Sequence, residues 1–205
     1  MKKYLACLAV VLACSLPLNA APLRIVHVAA PGVICSFSTN CIMHGIDLGS
    51  PLAVPGTTGA GRLISRTFKA EPGTAAAGGG VYIYCVDASG IRSSSTNDGI
   101  MRLSVPFQNV RRLPFGTSDT NAQMFVITQG GMGQVAPASA SITTTNLTVF
   151  FNPPVHFGSG ATPGQTSYFF GVVSTNLTQG VSAWFLAAQG PNLKLVSVPA
   201  TGPVF

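Results

Sequence analysis

Three histidines, His27, His44 and His156, and five acids, Asp47, Glu71, Asp87, Asp98 and Asp119, are the residues that could move protons in this chain of 205. A hydrolase triad needs a nucleophile, a histidine and an acid brought together in space. The G-x-S-x-G elbow that presents such a serine is absent, and Gly158-Ser159-Gly160 is too short to replace it. His44 and Asp47 lie close enough in sequence to touch at a turn. Sugar hydrolysis needs two carboxyl groups on facing elements. Most of the acids instead sit among Gly, Ser, Asn and Thr, where aspartate commonly bonds its own backbone in turns. Asp98 beside Asn97 offers oxygens of the kind calcium takes, but without the EF-hand spacing. The expectation is no catalytic residue, no metal and no cofactor, with a secreted hydrolase as the third of three functional readings.

Five cysteines are present. Cys7 and Cys14 fall in the apolar N-terminal stretch, which leaves Cys35, Cys41 and Cys85 as disulfide candidates. In an oxidising compartment two of these pair. Cys35 can close a short loop with Cys41, or Cys85 can bridge back to either, and sequence does not choose between them. The Cys35-x5-Cys41 spacing is wider than zinc sites use, and no second Cys/His pair follows closely. The glycine clusters Gly56 to Arg62 and Gly130 to Gly133 lack the Lys-Ser/Thr of a phosphate-binding loop and read as turns.

Lys2 and Lys3, the apolar run from Tyr4 to Leu16, Pro17 and then Leu18-Asn19-Ala20 have the order of a secretory signal. The expectation is a signal peptide over residues 1–20, cleaved before Ala21, and export to the periplasm, the outer surface or the exterior. As a membrane anchor the run is too short, about thirteen apolar residues against the roughly twenty that span a bilayer. Val11-Leu12-Ala13-Cys14 resembles a lipobox, with Leu12 where a smaller residue is more usual. Lipidation at Cys14 is therefore the alternative, and the only route by which this reading brings the chain to a membrane. Removal of Lys2 and Lys3 would leave nine basic against five acidic side chains. Only Arg111 and Arg112 are adjacent, so the dense basic stripe of a nucleic-acid binder is missing.

The elements that must position these residues are short. The chain is 8% charged and 47% hydrophobic, with 23 glycines and 15 prolines, a density of turn formers that breaks up long helices. Strand-like runs occupy residues 23–29, 33–37, 41–46, 62–69, 81–86, 100–107, 124–128, 142–145, 147–151, 168–174, 181–187 and 193–198. Residues 48–60 read as a loop, and Asn152-Pro153-Pro154 as the end of a strand, because proline cannot donate to a ladder. About ten to twelve short strands at regular spacing predict an all-β protein. The expected architecture is a single antiparallel β-sandwich of jelly-roll or immunoglobulin-like type over residues 21–205.

Phe150-Phe151, Tyr168-Phe169-Phe170 and Trp184-Phe185 are adjacent aromatics on such strands, where neighbours face opposite sides. Phe151, Tyr168, Phe170 and Trp184 are the candidates for an aromatic ligand face. Two sequons, at Asn146 and Asn176, would matter only in a eukaryotic secretory pathway.

The stretches Tyr82 to Asp87, Met124 to Gly133 and Ser167 to Ser174 resemble a pattern of exported bacterial β-rich proteins that have no assigned activity. The resemblance implies secretion and an all-β fold, and it carries no catalytic residue. Two further readings of function follow. The first is a non-enzymatic surface, matrix or filament component that self-associates or contacts a surface glycan or protein. The second is a carbohydrate- or ligand-binding module.

Overall fold

The structure is a computed structural model and describes residues 20–43, 45–115, 121–176 and 178–203. The candidate leader with Cys14, and also His44 and Asp119, lie outside these residues, as does Leu177 of the second sequon. Strands take up 59% of the described residues and helix 2%, so the expected all-β character holds.

The strands are β1 (Ala21–Pro22), β2 (Ile25–Ala29), β3 (Ile46–Leu52), β4 (Thr58–Gly59), β5 (Gly61–Lys69), β6 (Gly80–Asp87), β7 (Ile91–Arg92), β8 (Gly99–Pro106), β9 (Met124–Gln129), β10 (Pro137–Ile142), β11 (Asn146–His156), β12 (Phe169–Ser174), β13 (Thr178–Gln189) and β14 (Asn192–Pro203). One six-stranded sheet, the first, has the order β1-β10-β11-β8-β13-β14 and is antiparallel throughout. The second has the order β2-β9-β12-β6-β5-β3 and is mixed, because β2 runs parallel to β9. The pair β4-β7 stands apart.

Four sequence expectations change. Residues 48–52 belong to a strand rather than to the start of a loop, with β3 an edge strand, where Pro51 is tolerated. The strand through Phe151 does not stop at Pro153. It bulges there and runs on to His156, because a bulge takes its residues out of the ladder and asks no hydrogen bond of proline. The apolar residues Val33 to Phe37 enclose a single 3-10 turn, Ile34–Ser36, and no strand, and of the described residues in 41–46 only Ile46 is in a strand.

The sheets face each other across one shared core. Leu103, Val149, Phe151 and Phe185 of the first meet Tyr82, Tyr84, Val126 and Phe170 of the second. The rings of Phe151 and Phe170 lie 5.9 Å apart, edge to face, a geometry the ring quadrupoles favour. The Tyr84 hydroxyl crosses the core and donates to the Thr201 carbonyl at 2.7 Å.

The central strands of the second sheet, β9, β12 and β6, are buried on both faces. Tyr82, Tyr84 and Val86 point to the first sheet, while Val81, Ile83 and Cys85 point the other way into a second cluster. That cluster is closed by loops carrying Val33, Ile34 and Phe37, then Ala70 and Ala76, then Leu113, Phe115 and Ala122. Phe37 lies 5.8, 6.0 and 5.3 Å from the rings of Phe68, Phe115 and Phe125. Its full burial stabilises the fold by about 1.5–3 kcal/mol. Two-sided burial is why residues 81–86 are continuously apolar instead of alternating. Strands of the first sheet do alternate, buried and exposed, because no described segment covers its outer face.

Candidate functional site

The uncovered outer face of the first sheet is where exposed large apolar side chains gather. Met101, Phe150, Trp184, Leu193 and Leu195 all project from it, Phe150 at 39% and Trp184 at 37% exposure. Register orders them into rows. One runs Ser139, Phe150, Arg102, Leu186, Leu195 across five neighbouring strands. The next runs Ser141, Thr148, Ser104, Trp184, Ser197, with the hydroxyls of Ser104 and Thr148 3.4 Å apart. Outward side chains are therefore apolar with one cation and one hydroxyl in the first row, and hydroxyl-bearing with one indole in the second.

The ladder breaks at one level on three adjacent strands. Register shifts between Pro137 and Ser139 on β10, and between Phe150 and Val155 on β11. Between β13 and β8 it shifts where Met101 is the extra residue. Bulges bend a strand and redirect side chains. Here they bring Met101 and Arg102 together on the outer side and open a cavity of about 500 Å³. Its apolar walls are Met101, Ala138, Phe150, Phe151, Pro154 and Leu186, and its polar groups come from Arg102, Ser139 and Asn152. The Arg102 Nε is buried and meets no acceptor. Among the described residues its guanidinium forms no ion pair.

The aromatic candidates separate. Phe170 is turned into the shared core, and Phe151 is turned into the same core but also lines the cavity. Tyr168 is half-buried against that core. Only Trp184 stands on the outer face. Strand alternation implied that one of Phe150 and Phe151 faces out, and it is Phe150. Arg102, Met101 and Leu186 carried no motif. The alternation of β8 and β13 was their only trace, and the bulge that joins Met101 to Arg102 is invisible to it.

Of the cysteines, Cys35 and Cys41 form a disulfide, which is compatible with an exported protein. Glu71 anchors the same loop by accepting from the Thr39 N–H at 2.6 Å and the Ser38 hydroxyl at 3.2 Å. Cys85 is a buried free thiol that donates to the Ser167 carbonyl at 3.3 Å. Burial, the largest influence, pushes it up to about 12, with Ser167 acting in the opposite sense.

The acids are engaged in holding the fold. Asp87 accepts from the Ser89 N–H and hydroxyl at 3.0 and 2.6 Å, from Thr166 at 3.2 Å and from Arg62 at 3.2 Å. Burial alone would raise its carboxyl, but these donors hold it below the ordinary value. Asp98 is buried, accepts from the Ser93 hydroxyl, and takes the Gly190 N–H at 2.7 Å. Its oxygens join the 93–98 loop to the β13–β14 turn. Asp47 pairs with Arg66 at 2.8 Å. His27 is exposed on β2, and His156 is half-buried on β11. Among the described residues no three His, Cys, Asp or Glu side chains converge to hold a metal. Gly133, in the second glycine cluster, has φ +134° and would drive a Cβ to 2.5 Å from the Tyr168 backbone, which is a packing requirement and not a phosphate cradle. No helix among the described residues is long and apolar enough to cross a membrane.

The chain matches no family model, no curated protein sequence and no solved structure.

Proposed function

We propose that this chain is an exported, non-enzymatic surface or matrix component that makes its contacts through the outer face of the first sheet. The observation that carries this reading is an asymmetry. Three loops and a second apolar cluster cover the outer face of one sheet, while the other leaves Met101, Phe150, Trp184 and Leu195 in solvent. Contiguous exposed apolar side chains on a soluble domain mark a contact surface. The Cys35–Cys41 disulfide and the leader-like order of residues 1–20 support export.

The sandwich is of jelly-roll or immunoglobulin-like type. Its support is that the chain passes from β8 in the first sheet to β9 in the second, back to β10, then from β11 to β12 and back to β13. Filament formation draws support from β14, a twelve-residue edge strand whose Leu193 and Leu195 are 61% and 63% exposed. Such an edge is a template for pairing with another chain.

Sedimentation and electron microscopy of residues 21–205, with adsorption to the producing cell's envelope, test the proposal. The expected result is self-association or envelope binding that W184S/F150S abolishes. A strictly monomeric protein that adsorbs to no envelope overturns it.

A further inference from the structure

We propose that the cavity at Arg102 binds a carboxylate carried on an apolar body. This deepens the reading of the outer face as the contact surface and rests on it. A guanidinium with a desolvated nitrogen and no counter-charge is unfavourable unless something pairs with it. The chain does not supply that partner from its described acids. Asp47 is held by Arg66, Asp87 by Arg62, Ser89 and Thr166, Asp98 by Ser93 and Gly190, and Glu71 by Ser38 and Thr39. A carboxylate matches the planar donor fork of arginine.

The walls decide what carries the anion. Met101, Phe150, Pro154 and Leu186 suit hydrocarbon or an aryl ring, while Ser139 and Asn152 can orient a polar end. A polyhydroxylated sugar would leave most of its hydroxyls facing these apolar walls. No second lysine or arginine lines the cavity, so a doubly charged phosphate would be poorly neutralised. The volume of about 500 Å³ lies within the range of small-molecule sites. Bulges on three adjacent strands at one level, in an otherwise regular antiparallel sheet, are what make the room.

Trp184, the chain's one tryptophan, lies two residues from Leu186 on the same strand and face, about 7 Å along it, and serves as the reporter. The probes are 4-phenylbutyrate and octanoate, with their primary amides and phenyl phosphate as controls. Saturable quenching or shift of Trp184 fluorescence is expected with the carboxylates. Loss of charge should weaken binding by about tenfold or more, seen with the amides on the unaltered protein and again in R102Q. L186A should weaken the apolar contribution several-fold while keeping the preference for acid over amide. Melting curves of both variants establish that they are folded. Amides binding as well as acids, phenyl phosphate binding tighter than both carboxylates, undiminished binding by folded R102Q, or no saturable carboxylate binding overturns the proposal. Monomeric behaviour with no envelope adsorption but intact carboxylate binding would instead defeat the surface role alone.

Discussion

Arg102 stands directly across the ladder from Phe150. The aromatic ring and the guanidinium are neighbours on an uncovered sheet face, and the guanidinium nitrogen closest to the backbone is buried with no acceptor. Cross-strand neighbours on one face lie about 5 Å apart at Cβ, so Phe150 and Leu186 flank the cation on both sides. That confinement keeps water from the Arg102 Nε.

Phe150 and Phe151 should respond oppositely to truncation. Phe151 packs on Phe170 in the shared core, and F151A is expected to cost about 3–5 kcal/mol. Phe150 faces solvent, and F150A should stay within about 1 kcal/mol. Denaturant titrations of the two variants read the difference, and equal losses would contradict the strand parity.

The Cys35–Cys41 loop should be a local staple. Its sequence separation of 6 corresponds to about 2 kcal/mol of unfolded-state restriction. The C35S/C41S variant is expected to melt about 4–8 °C lower. Hydrogen exchange should rise over residues 33–41 and around Phe37, with the first sheet unaffected.

Cys85 should resist alkylation in the native protein at neutral pH and react on unfolding, since burial holds the thiol protonated up to about pH 12. Below the ordinary value of 9.0 both states keep the proton and the contribution is intact. Between there and about 12 the unfolded thiol ionises while the folded one does not, so stability falls as pH rises. C85A should flatten that alkaline decline. Asp87 has the opposite sign. Its folded carboxyl lies below 3.8, so its contribution is present above that value and is lost as pH falls through the folded one. D87N should flatten the acid limb of the same curve.

Asp98 should behave as a structural acid. D98A strands the Ser93 hydroxyl and the Gly190 N–H, and a loss of about 2–3 kcal/mol is expected. D47A breaks a more exposed pair and should cost less than about 1 kcal/mol. Calcium should leave the melting temperature of the parent protein unchanged, and a calcium-dependent rise would show Asp98 to be a ligand.

Composition and periodicity alone determined that this chain is built of strands. Glycine and proline interrupt every long run, and β-branched and aromatic residues fill what remains. Each strand's alternation was also written locally, so the sequence could say that one of Phe150 and Phe151 faces outward. Which one does, and whether an outward face meets water or a covering loop, depends on neighbours far along the chain. Val81, Ile83 and Cys85 lie outside the shared core yet are buried, because segments around Phe37, Ala76 and Phe115 fold over them. Trp184 has no such cover. The Cys35–Cys41 pairing likewise needed the loop's shape, since spacing allowed Cys85 as a partner. The cavity at Arg102 was decided by tertiary structure entirely. It exists because bulges on β10, β11 and β8 fall at one level, and coincidence of register among strands distant in sequence has no local signature.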